Sequence, residues 1–151
     1  MSNIIDSFEK INLNIKKINQ TKKVNIIAVS KTFNLDHIKP LIDHGHDHFG
    51  ENKVQEAMSK WRNMKKNRSE IKLHMIGKLQ SNKAKNAFEI FDYIHSLDSK
   101  KLADIFSKCE AVSGKNLKYF IQVNIGAEVQ KSGISISEVE QFYDYCKKEK
   151  K

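Results

Sequence analysis

Apolar positions along this chain switch between a helical and a two-residue period, and the switches mark out its elements. Ile4, Ile5, Phe8, Ile11, Leu13, Ile15 and Ile18 recur at roughly helical spacing, which predicts an N-terminal helix through the first twenty residues. Val24-Asn25-Ile26-Ile27-Ala28-Val29-Ser30 then reads as a short buried strand. A helix over about 35–44 follows, with Asn34 offered as its cap and Gly45 as its stop. Pro40 falls inside it and is expected to kink it or delay its start, because proline lacks the amide hydrogen a helix interior needs. Residues 46–50 predict a second strand, and 52–65 a helix that turns Val54, Met58 and Trp61 inward. A third strand is expected at 73–77, a short helix at 82–88 and a fourth strand at 93–96. Asp98 or Ser99 caps the next helix, which ends near Gly114. The run 117–125 is a further strand, and a loop holding Gly126 and Gly133 leads to a last helix capped by Ser137.

Strands and helices thus alternate five times with short links, which is the signature of βα units on a parallel sheet. Such a sheet either stays open and doubly wound or closes as a (β/α)₈ barrel. The first strand-to-helix turn, Ser30-Lys31-Thr32-Phe33-Asn34, has no glycine-rich phosphate fingerprint, which disfavours a dinucleotide fold. Polar residues recur instead at successive strand ends: Lys31, Glu51 and Asn52, Gly77 and Gln80, Asp98, and Asn124. A barrel gathers those ends on one face, where its binding sites form. The expected fold is therefore α/β, an incomplete (β/α)₈ TIM barrel of about five βα units plus an N-terminal helix, in one domain over 1–151.

Composition adds a few exclusions. The 151 residues are 39% hydrophobic and 30% charged, as in ordinary globular domains, and no apolar run approaches a membrane-spanning length. Residues 1–20 carry charged and amide side chains throughout, unlike a secretion signal. Cys109 and Cys146 form no CxxC pair and fall in helical patterns, which leads to the expectation of a reduced, cytoplasmic protein. A net charge of +9 raises the alternative of a basic scaffold or nucleic-acid binder. Against it, the lysines are dispersed, and the clusters at 65–68 and 147–151 read as solvated helix ends complementing the dipole.

Lys31 carries the sharpest chemistry. An amine at the mouth of a buried strand is expected to be desolvated, which makes more of its neutral form available. A neutral lysine amine can form a Schiff base with an aldehyde such as pyridoxal phosphate. The plainer reading is a lysine that snorkels from a strand end into water.

At these residues the chain resembles the pyridoxal phosphate homeostasis proteins. The blocks are Ala28-Val29-Ser30-Lys31-Thr32, His48-Phe49-Gly50-Glu51-Asn52, and His74-Met75-Ile76-Gly77-Lys78-Leu79-Gln80-Ser81-Asn82-Lys83. Gln122-Val123-Asn124 and Lys131-Ser132-Gly133-Ile134 continue them in the right order. The resemblance implies a barrel of the alanine racemase N-terminal type that binds pyridoxal 5'-phosphate as a Schiff base on Lys31. It implies a role in vitamin B6 homeostasis without a defined turnover, with pyridoxal phosphate-dependent apoenzymes as possible acceptors of the cofactor. Asn52 and His74 match strand-end positions near the cofactor, and Lys131 lies on its expected rim. Two plainer readings stand beside these: Asn52 capping the following helix, and His74 as a packed core histidine. Ser81 and Asn82 are expected to cap a helix rather than touch a ligand.

Members of that family continue through further barrel strands, which carry the loops that hold the phosphate and an arginine facing the pyridine nitrogen. The present chain is expected to be truncated after its fifth βα unit, with those residues lying beyond 151. An unclosed barrel exposes a strand edge and an apolar face, so self-association is expected. A racemase-like enzyme fragment using the same lysine is an alternative, but a racemase needs a second acid/base group from a separate domain. His44, His46 and His48 form a local histidine cluster, with His46 and His48 expected on one face of a strand, but no matching cysteine or carboxylate completes a metal set. Cys109, amid Ala103, Ile105, Phe106 and Val112, reads as core.

Overall fold

The computed structural model describes residues 3–149. Helix α1 (Asn3–Ile18) is followed by β1 (Ala28–Val29), α2 (Leu35–Asp43), β2 (His48–Glu51), α3 (Val54–Asn67) and β3 (Lys72–Met75). Then come α4 (Ala84–Ile90), β4 (Tyr93–Leu97), α5 (Lys100–Ser113) and β5 (Lys118–Ile121). The short strands β6 (Val123–Asn124) and β7 (Ile134–Ser135) precede α6 (Val139–Glu149). Strands β1 to β5 make one parallel sheet in sequential order, while β6 and β7 pair separately. A doubly wound sheet reverses its strand order at a switch point. None is present among β1 to β5, so right-handed crossovers place successive helices on the same side of the sheet. That is the arc of a barrel.

The core lies between sheet and helices. Phe49 stacks near Trp61 of α3 at 4.9 Å between ring centroids, and both are fully buried. Leu73, Met75 and Ile94 fill the same layer, with Ala84 and Ala87 of α4 and Leu102 and Phe106 of α5 against them. Burying each large side chain contributes on the order of 1.5–3 kcal/mol. Lys115 serves the end of α4: its ammonium donates to the carbonyls of Phe88 at 2.7 Å and Phe91 at 3.1 Å. Burial lowers the pKa of that amine, with Asp92 opposing.

Local signals were read correctly where a side chain or backbone angle enforces them. Asn34 caps α2 by accepting from the His37 amide at 3.0 Å, and α2 starts on time and runs through Pro40. Buried Ile38, Leu41 and Ile42 hold that helix against the proline's missing donor. Of the two candidate caps for α5, Ser99 accepts from the Leu102 amide at 3.2 Å. Gly114 ends α5 at φ 72, a left-handed angle suited to glycine.

Elsewhere the boundaries shift. The first strand shrinks from 24–30 to Ala28–Val29, because β1 pairs only with β2, which begins at His48. The expected strand over 117–125 divides at Gln122, whose amide bonds Leu97 while its carbonyl accepts from Ile134. A 3₁₀ turn over Ser81–Lys83 precedes α4, so neither Ser81 nor Asn82 supplies a helix cap. Another 3₁₀ turn, Ile136–Glu138, precedes α6, and its N-cap is Ser135 rather than Ser137. Ser135 donates to the Glu138 carboxylate at 2.6 Å, a serine and glutamate at capping-box spacing.

Candidate functional site

Strand alternation sorts side chains onto two faces of the sheet. Phe49 and Glu51 of β2 both meet Trp61, so they point toward the helices. His48 and Gly50 therefore point away from them, as do Lys72 and His74 of β3, Tyr93 and His95 of β4, and Lys118 and Phe120 of β5. A register shift between Ile94 and Leu97 then returns Leu97 to the helix side, opposite Ile121.

The far face carries a chain of imidazoles. His48 Nδ1 lies 2.8 Å from His74 Nε2, and His74 Nδ1 lies 2.8 Å from His95 Nε2. One proton bridges each pair. Tyr93 stacks on His74 at 4.1 Å between centroids, and Phe120 stacks on His95 at 4.5 Å. Burial, reinforced by the imidazoles of His95 and His48, lowers the pKa of His74 to about 3. Burial also lowers that of His95. His74 is consequently neutral at physiological pH, with both ring nitrogens engaged.

At the carboxyl ends of β1 and β2 a second network surrounds Glu51, which is fully buried. Its Oε1 accepts from Ser30 Oγ, Lys60 Nζ and Trp61 Nε1, each at 2.8 Å. Lys60 also donates to the Ser30 carbonyl at 2.9 Å and lies 3.4 Å from Glu56 Oε1. A buried ammonium among two carboxylates and a carbonyl has its donors satisfied, which is what makes its burial tolerable. This network fixes Ser30, the residue before Lys31.

The register places the candidate residues relative to one another. Val29 pairs with Gly50, and Gly50 with His74. The Ser30 amide still donates to the Gly50 carbonyl, so Lys31 and Asn52 each follow the carboxyl end of neighbouring strands, with His74 inside β3. Asn52 does not cap α3: the N-cap is Lys53, without a side-chain hydrogen bond. The Asn52 Oδ1 is buried with no hydrogen-bond partner among the described residues. Gly77 packs directly on it, since a Cβ there would lie 2.8 Å from Asn52 Cβ and 2.9 Å from its Cα. Gln122 Oε1, where β5 gives way to β6, is likewise buried and unpartnered among the described residues, as are Glu51 Oε2 and Ser96 Oγ.

One expectation needs correction. Lys31 is exposed rather than desolvated, and it makes no hydrogen bond or ion pair among the described residues. The reason is its place on an edge strand: β1 has a neighbour on one side only, and Val29 and Phe33 beside it are 52% and 47% exposed. Lys131 is drawn into its own loop, where it donates to Glu128 at 2.8 Å with 64% of its side chain exposed. The local histidine cluster also disperses. His44 pairs with Glu9 at 2.7 Å, His46 packs against Phe8 and Phe49, and only His48 joins the imidazole chain. Cys109 packs half-buried against the core, as its helical neighbours suggested.

Sequence reasoning missed the histidine chain and the Glu51 network. The first had a usable signal, since His48, His74 and His95 occupy three consecutive strands at positions that alternation puts on one face. The second had only a weak one: Glu51 precedes a helix carrying Glu56, Lys60 and Trp61 at four- and five-residue spacings, but nothing local says that the carboxylate is buried.

A family model described as "Alanine racemase, N-terminal domain" matches residues 7–151. The pyridoxal phosphate homeostasis protein of Buchnera aphidicola is 42% identical over 129 residues, covering 85% of this chain and 56% of that one. Its counterpart in Vibrio cholerae is 36% identical over 141 residues, with 89% and 60% covered. The chain thus spans little more than half the length of these curated relatives. Among solved structures, PipY of Synechococcus elongatus with PLP bound superimposes at a TM-score of 0.71 and 34% identity, over 86% of this chain and 61% of that one. The same protein without PLP gives a TM-score of 0.77 at 32% identity, over 90% and 64%. Alanine racemase of Clostridium difficile, at 13% identity and a TM-score of 0.64, shares the fold over 90% of this chain and 36% of its own. The sequential parallel arc is thus the expected barrel type, and the chain belongs to the alanine racemase N-terminal domain family, with pyridoxal phosphate homeostasis proteins among its relatives.

Proposed function

We propose that this chain holds pyridoxal 5'-phosphate as a Schiff base on Lys31 and acts in the intracellular balance of that cofactor rather than in turnover. The amine nitrogen bonds the aldehyde carbon, the amine gives up its protons, and the carbonyl oxygen leaves as water. The observation that carries the reading is the content of two neighbouring strand ends: an unengaged lysine amine after one, and after the next a buried asparagine oxygen without a partner. Orphaned buried polar atoms are uncommon in native structures and call for a ligand or water. Asn52 and Gln122 offer such atoms, and both leave strand ends where barrel ligands bind. These residues fit a polar aromatic aldehyde. When bound, the cofactor would offer an electrophilic imine carbon, which an apoenzyme amine could attack to take over the cofactor and release the Lys31 amine. His74, with both nitrogens engaged, acts in this reading as a rigid floor beneath the site.

Mixing the chain with pyridoxal phosphate is expected to give an imine absorbance band, and Lys31→Ala to abolish it. Borohydride trapping of the label on other lysines, with Lys31 unmodified, would overturn the assignment. No helix among the described residues is long and apolar enough to cross a membrane, and both cysteines are half-buried in packed helices. Self-association through the sheet edges belongs to the same proposal. Phe120 and Tyr143 beside β5 are 50% and 52% exposed, and a largely apolar cavity of about 370 Å³ opens there between α5, α6 and β5. Sedimentation is expected to show concentration-dependent association that Phe120→Lys weakens.

A further inference from the structure

We infer that Glu51, Lys60 and Glu56 form a clamp that presets the turn carrying Lys31, which makes them positioning residues for its amine. The inference rests on the reading of Lys31 given above. Both neighbours of Lys31 are tied to the clamp. Ser30 donates its hydroxyl to Glu51 and gives its carbonyl to Lys60. Thr32 donates its amide to Glu56 Oε1 at 3.0 Å. The turn is closed by the Phe33 amide, which donates to the Ser30 carbonyl at 3.2 Å. Within this span Lys31 carries the ionisable side chain, and it makes no hydrogen bond or ion pair among the described residues.

Thr32 shows why a clamp is needed. Its φ is 69, in the left-handed region that β-branched residues rarely enter. Such strain persists only where surrounding contacts over-determine the backbone, and it gathers at functional sites. Here the compensating contact is identifiable. The Thr32 amide above all holds the Glu56 carboxyl below its ordinary range; burial opposes it, and Lys60 and Lys53 reinforce it. Glu56 is steered in turn by Lys60, whose side chain is 8% exposed, and Lys60 by the fully buried Glu51. Rigidity therefore passes from the core, through Trp61 and Glu51, to an exposed turn on an edge strand that would otherwise fray.

The test uses the full chain with pyridoxal phosphate, borohydride trapping and peptide mapping, reading the share of label on Lys31. A cofactor-free readout accompanies it: amide hydrogen exchange at Thr32. Glu56 is partly exposed, so Glu56→Ala leaves the core intact. It is expected to lower the Lys31 share by about tenfold, as release of backbone strain of this kind allows, with label moving to other lysines. It is also expected to accelerate exchange at Thr32. Glu56→Gln keeps an oxygen for the amide and should retain most of the labelling. Adding Thr32→Gly to Glu56→Ala should restore part of it, because glycine takes the left-handed angle without strain. Undiminished labelling of Lys31 or unchanged Thr32 exchange in Glu56→Ala would overturn the clamp and leave the Lys31 reading standing. Failure of the unsubstituted chain to label Lys31 would remove that reading, and the positioning role with it.

Discussion

The centre and the edge of this sheet are built on opposite terms. In β2, β3 and β4, buried polar groups are tied into shared networks, although Glu51 Oε2 and Ser96 Oγ stay unpartnered among the described residues: Glu51 takes three donors on its other oxygen, and three imidazoles share two hydrogen bonds. On β1 Val29 is exposed, and the Lys31 amine that follows is uncommitted among the described residues. A group that is to meet a ligand needs freedom, whereas the groups that aim it need none. On the proposed reading of Lys31, the site's precision is set in the centre and delivered to the edge through Ser30 and Thr32.

Trp61 and Val29 break or support that contrast with the largest expected effect. Trp61→Ala removes a fully buried ring from Phe49 and a donor from buried Glu51, and should cost about 3–5 kcal/mol in urea unfolding. Val29→Ala, at an exposed edge, should stay within about 0.5 kcal/mol. Comparable losses in the two variants would mean that the edge is as integral as the centre.

Acid sharpens the same contrast. His74 titrates near 3 in the fold against an ordinary 6.5. Between those values the unfolded chain binds a proton that the native chain does not, so native stability falls as pH is lowered through the window. Each pH unit in it costs about 1.4 kcal/mol from this one group. Unfolding series at several pH values should show a flatter acid limb for His74→Leu than for the unsubstituted chain between pH 6 and about 4. Glu56 acts in the same direction but lower: its depressed carboxyl stabilises the fold above its ordinary pKa of 4.5 and loses that contribution as pH drops further. Parallel acid limbs for the two proteins would place the burial penalty elsewhere.

Much of the fold was legible because its signals are local. Asn34, Ser99 and Gly114 announce helix ends through a side-chain oxygen or a backbone angle, and five alternations of strand and helix imply a parallel sheet. The order β1 to β5 followed from the absence of a dinucleotide turn. The site was legible only as positions. Lys31 and Asn52 could be set at strand ends, but exposure depends on which strand has a neighbour, and that is a property of the whole sheet. Glu51 was seen as a strand-end polar residue, yet its burial requires Trp61 and Lys60 to arrive from α3, ten and nine residues on. The strain at Thr32 left no mark in the sequence, because threonine there looks like any other turn residue.

Lys131 offers the smallest effect and a fine discrimination. Its ion pair with Glu128 spans three residues of an exposed loop, with side chains 64% and 41% exposed. Pairs of this kind contribute about 0–1 kcal/mol, because solvent screens them and holding two long side chains costs entropy. Lys131→Ala should therefore leave unfolding within about 0.5 kcal/mol of the original. Its effect on pyridoxal phosphate binding is the informative part. An unchanged imine band would keep Lys131 as a loop lysine serving Glu128, in line with its place in the structure. A weaker band at unchanged stability would return it to the cofactor's rim, and would require the loop after β6 to swing its amine away from Glu128 when ligand arrives. In that case the β6 end would move against the fixed centre, unlike the β1 end, which the clamp holds in place.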